Sequence, residues 1–75
     1  MNKNDRKQIK VAIQKIEEAK TDLEPIIEEL EERANNIEEK FEAKAETLRD
    51  QANTIQDAIE NAQQVIDDLT TAIED

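Results

Sequence analysis

The sequence predicts an all-α fold: an antiparallel, coiled-coil-like helical hairpin. Three observations carry that expectation. Apolar residues recur at alternating steps of three and four along nearly the whole chain. Gly is absent and Pro occurs once, so the chain lacks most of the punctuation that strands and loops need. Bases gather at the start and acids at the end, an arrangement that opposes the helix dipoles but becomes an attraction when two arms lie antiparallel.

The first arm, about residues 5–43, presents Ile9, Ile13, Ile16, Lys20, Leu23, Ile27, Leu30, Ala34, Ile37 and Phe41 in a heptad seam. Lys20 is its polar member. A second series runs through Ala45, Leu48, Ala52, Ile55, Ile59, Ala62, Ile66, Leu69 and Ile73 without a miss. Between the two, Ile37, Phe41 and Ala45 are separated by two steps of four, a stutter relative to a strict heptad. A stutter can be absorbed by a continuous helix or can mark the join of two.

Cap signals favour a join. Thr47 and Asp50 resemble a capping box with Asp in the Glu position. They place the reversal at about residues 43–47 and the second arm at about 48–74. Phe41 and Leu48 are then expected to close the core across the bend. A second box, Thr21 with Glu24, has Pro25 in the first turn of what would follow, where a missing N–H costs nothing. The first arm is therefore expected to be bent or broken near Thr21–Pro25. Two other architectures remain open: a three-helix bundle of 5–20, 22–44 and 48–74, and one long parallel coiled coil. Oligomerisation into a dimeric bundle is expected as well. A single domain of 75 residues buries a modest core, and without Cys it has no disulfide to help.

Charge supports the antiparallel reading. Lys3, Arg6, Lys7, Lys10, Lys15 and Lys20 dominate the first arm's start. Beyond Arg49 the chain has acids and no base. The net charge is −10, from 20 acidic and 10 basic residues.

Absences exclude most chemistry. Without Ser, Cys or His there is no nucleophile–base pair of the usual kinds. Without His the Glu-x-x-His di-metal motif of helical bundles is missing, and without Gly so are phosphate loops and EF-hands. Carboxylates abound, but acid–base work needs a pocket that perturbs them. No catalytic residue, cofactor or metal site is expected; the Glu28, Glu29, Glu31, Glu32 cluster offers at most loose cation binding. The longest apolar run, Val11 to Ile13, is too short to span a membrane, and the start lacks a signal-peptide h-region. A cytoplasmic protein is expected.

The acids themselves are the candidate site. Asp50, Asp57, Glu60, Asp67 and Glu74 step along one face of the second arm, with Asn53, Gln64 and Thr71 filling the gaps. The first arm crowds Glu24, Glu28, Glu31, Glu32, Glu38 and Glu42, several at i,i+4, where like charges each cost a few tenths of a kcal/mol. Solvation of a helix face accounts for acids in general. It leaves the absence of every base beyond Arg49 unaccounted for, since mixed signs stabilise better. The expected role is an acidic rod that docks on a basic protein surface, such as a nucleic-acid channel, by long-range steering. Asp57, Glu60, Asp67, Asp68 and Glu74 are the first candidates, then Glu28, Glu31 and Glu32. Direct nucleic-acid binding is disfavoured by net charge. The Lys3, Arg6, Lys7, Lys10 cluster has no interleaved aromatics and is expected to pair with the acidic arm.

The opening "NDRKQIKVAIQKIEEAK" and the close "IQDAIENAQQVIDDLTTAIED" resemble short acidic helical proteins of phage genomes. In that set an aromatic, here Phe41, precedes a connector that carries Pro or Gly; this chain's connector has neither. The resemblance implies a hairpin and a phage-borne accessory protein, and carries no assigned activity. By analogy it favours an inhibitor of a host nucleic-acid enzyme. The alternative expectation is a structural coiled-coil assembly or scaffolding protein whose functional surface is the seam.

Overall fold

A computed structural model describes residues 1–74. Two helices make up the fold, α1 (Lys3–Ile37) and α2 (Glu42–Glu74), joined by a short turn. They pack along their length into a rod of 59 × 15 × 11 Å. The radius of gyration is 17.3 Å, against about 11 Å for a compact domain of this length. One uninterrupted helix of this chain would reach about 110 Å. The chain is a hairpin of two helices, not three.

The start of α1 is a capping box. Asn2 accepts from the Asp5 amide at 2.8 Å, and the Asp5 carboxylate accepts from the Asn2 amide at 3.2 Å. Two otherwise orphaned donors are satisfied, and Asp5 meets the positive end of the helix dipole. The Asn-x-x-Asp pattern was readable in the sequence, which instead suggested a start near residue 5.

The expected break near Thr21–Pro25 does not occur. α1 runs through Pro25. Thr21 is no N-cap: its hydroxyl donates to the Glu17 carbonyl at 3.1 Å, as a mid-helix Thr does. Pro25 is exposed, on the side facing away from α2. There the carbonyl it leaves unpaired is open to water.

The reversal also differs from expectation. It lies at Glu38–Phe41, and residues 43–47 belong to α2. The Ile37 carbonyl accepts from the Lys40 and Phe41 amides at 3.1 and 2.8 Å, and Phe41 in turn accepts from the Ala45 amide at 2.9 Å. No described residue takes a positive φ, so no glycine is needed. Thr47, read as a cap, donates its hydroxyl to the Ala43 carbonyl at 3.2 Å. The stutter does mark the join; its middle member is what leaves the seam. Phe41 is 58% exposed and closes nothing.

The remaining seam residues are buried or half-buried, Lys20 included. Labelled as heptads, Ile27, Ala34, Ala45, Ala52, Ile59 and Ile66 occupy a positions and form the buried core. The d positions of both helices, Leu23, Leu30, Leu48, Ile55 and Leu69 among them, are only half-buried. Ile27, Ala52 and Ile59 pack together with Leu23, Leu30 and Ile55 against them. Ala at positions 34, 45 and 52 lets the helices approach closely near the turn.

Candidate docking surface

Two arginines fix the register. Arg6, one heptad step before Ile9, donates to the Ile73 carbonyl at 3.1 Å. Arg49 donates to Asn35 Oδ1 at 3.0 Å and pairs with Glu38 at 3.2 Å. Neither helix has a base in its own last turn. Each receives its cation from the other helix, at the end where the dipole and the orphaned carbonyls call for one. Midway, Lys20 reaches across to Gln63 while staying 3.8 Å from Glu17. The antiparallel attraction expected from bulk charge thus takes local form at Arg6, through a carbonyl rather than a carboxylate.

This register sorts the surface. Around each helix the a position is flanked by e and the d position by g, and in an antiparallel pair e faces e and g faces g. The e flank carries Glu17, Glu24, Glu31 and Glu38 from α1, and Arg49, Gln56, Gln63 and Thr70 from α2, whose Glu46 is at b. Next to it, at b, lie Glu28 of α1 and Glu60, Asp67 and Glu74 of α2. Glu60 comes level with Glu24 and Asp67 with Glu17, so the two helices merge their acids into one face about 40 Å long. The open end of the same flank carries Lys3, Lys7 and Lys10, around a shallow hollow lined also by Asn4 and Arg6.

The eight candidate acids are all exposed. Glu28, Glu31, Glu60, Asp67 and Glu74 share the e-side face. Asp57 and Glu32 sit on the outermost ridges of α2 and α1, which point in opposite directions, and Asp68 lies on the far side of α2. The described ion pairs, Lys20–Glu17, Arg33–Glu29 and Arg49–Glu38, involve none of the eight. Asp67 and Asp68 accept from Gln63 and Gln64 at 2.9 and 3.0 Å, neutral donors that leave their charge uncompensated. Glu24 and Glu17, which complete this face, could have been found by asking which acids of α1 flank the seam on the same side as Glu60.

No described polar or charged side chain is buried, and no group of acids among the described residues is arranged to hold a metal. No described helix is long and apolar enough to cross a membrane. Set against known proteins, the chain matches no family model, no curated protein and no solved structure.

Proposed function

We propose that this protein is a non-enzymatic binding or inhibitory module that docks its acidic e-side face on a basic protein surface, as a nucleic-acid mimic. The observation that carries it is the merging of α1 and α2 acids into one exposed face, on which Glu24, Glu28, Glu31, Glu60, Asp67 and Glu74 take part in none of the described ion pairs. A helical rod holds those charges in place before binding, so little ordering entropy is lost on docking. Its negative field accelerates encounter with a basic groove.

The resemblance of both chain ends to short acidic phage proteins supports a phage-borne role in a host cytoplasm, with a nucleic-acid enzyme as the target class. The half-buried d row supports a second reading, a coiled-coil assembly or scaffolding protein, in which the acids only solvate the seam.

Affinity capture from a bacterial lysate, with mass spectrometry, separates the two. Docking through the acids predicts capture of basic nucleic-acid-binding proteins at low salt and their loss at moderate salt. Reversal of Glu60, Asp67 and Glu74 to Lys removes them while helicity persists. Capture that survives both changes contradicts the docking reading.

A further inference from the structure

The two flanks of the hairpin are unlike. On the side opposite the acidic face, the apolar g positions are Ala12, Ala19 and Ile26 on α1 and Ala58, Val65 and Ala72 on α2, all exposed. Ile26 is 44% and Val65 47% exposed. They border the d row, which is half-buried throughout. From Ile27 to Ala34 and from Ala45 to Ile66 the a row is buried, so that stretch of the seam is open on its d/g side, while at Ile13, Lys20 and Ile73 the a row is half-buried too. Shallow hollows lie on this flank toward both ends of the rod. One, near the turn, is lined by Leu30, Ile55, Thr47, Gln51, Thr54 and Asp50; the other, at the open end, by Ile9, Ala12, Gln8, Asp5 and Met1.

We infer that the d/g face is a self-association surface, covered by a second copy of this chain to form a four-helix bundle. Two quantities select that occupant. The chain exposes 5778 Å², whereas a folded monomer of 8.6 kDa exposes about 4,700 Å². The excess, about 1,100 Å² over the whole rod, is more than the roughly 800 Å² that each partner buries in a standard interface, so covering one flank in a pair stays within the surface that the elongated shape leaves exposed. The second quantity is charge. Over the described helices the c and g positions hold Lys15, Arg33 and Lys44 against Asp5, Asp22, Glu29 and Asp68. This flank is close to balanced on a chain of net charge −10. It is the flank on which two such chains can approach without stacking acid on acid.

The apolar stretch is centred near Ala19 and Val65. A two-fold axis there sets Ala12 of one copy against Ile26 of the other, small against large, and Lys15 against Asp22. The acidic faces of both copies remain outward, so this association stands independently of the docking proposed above.

Sedimentation equilibrium of the full chain tests it. The expected mass at tens of micromolar is twice 8.6 kDa. Ile26→Glu with Val65→Glu is expected to give the single-copy mass with helicity retained, because both positions are already exposed in one hairpin. Ala19→Arg with Ala58→Arg gives the same readout through different side chains. Val11→Glu, exposed but outside this flank, keeps the doubled mass. A single-copy mass for the unaltered chain up to several hundred micromolar overturns the inference. So does any mass above two copies, a pair that survives both double variants, or a pair that Val11→Glu dissociates.

Discussion

The Arg6 guanidinium donates to the Ile73 carbonyl at 3.1 Å, across 67 positions of sequence. This contact closes the open end of the hairpin. It also places a cation on the carboxyl end of α2, where the last turn has no base of its own. Arg6→Ala is expected to cost about 1 kcal/mol, less than the roughly 1.5–3 kcal/mol of a charged hydrogen bond because the site is part-exposed. In a chain this short that lowers the melting midpoint by about 4–8 °C. Lys7→Ala removes the same charge from an exposed neighbour and is expected to change the midpoint little. Equal losses for the two, followed by circular dichroism, would mean that bulk charge and not this contact is at work.

Arg49 does the equivalent work at the turn, holding Asn35 and Glu38. Arg49→Ala is expected to speed amide exchange in residues 37–42 several-fold, with little change around Ile13 or Ile66. Uniform acceleration along both helices contradicts a local clamp.

Phe41 offers a control on where the core ends. At 58% exposure, Phe41→Ala is expected to cost under about 0.5 kcal/mol. Ile59→Ala, at an 8% exposed core position, is expected to cost about 2–4 kcal/mol. Urea unfolding midpoints compare them directly, and a larger loss at Phe41 than at Ile59 contradicts the packing described.

Lys20 sits in the seam with its side chain 16% exposed and its amine on Gln63. An apolar replacement removes a desolvation cost, so Lys20→Leu is expected to raise thermal stability by about 1 kcal/mol. A polar seam residue also fixes register. The same variant is therefore expected to broaden the mass distribution in sedimentation velocity. A less stable but uniform Lys20→Leu protein would assign Lys20 a net stabilising role instead.

The heptad spacing made much of this fold legible. Every a and d residue from Ile9 to Ile37 and from Ala45 to Ile73 is buried or half-buried, as the pattern requires. The turn was misplaced by a few residues because Thr47–Asp50 imitates a cap. A Thr hydroxyl that bonds back to a carbonyl four residues earlier has the same sequence signature as one that caps, and here Thr47 does the former. Thr21 misled in the same way, and Pro25 with it, since an exposed proline on an outer helix face can be tolerated without a break. The acids were visible as a stripe on α2. Their union with Glu24, Glu28 and Glu31 was not, because it depends on which flank of α1 meets α2, and single-helix periodicity does not specify that. The Arg6–Ile73 contact has no local signal at all.

Docking of the acidic face on a basic partner, as proposed above, has a direct test. The most direct measurement is the ionic-strength dependence of affinity for a captured partner, for the unaltered chain and for the Glu60→Lys, Asp67→Lys, Glu74→Lys variant. Docking through the acids predicts an affinity that falls at least tenfold between about 50 and 200 mM salt, competition by duplex DNA, and no measurable binding by the variant. An affinity indifferent to salt, or a variant that binds as well as the unaltered chain, contradicts it.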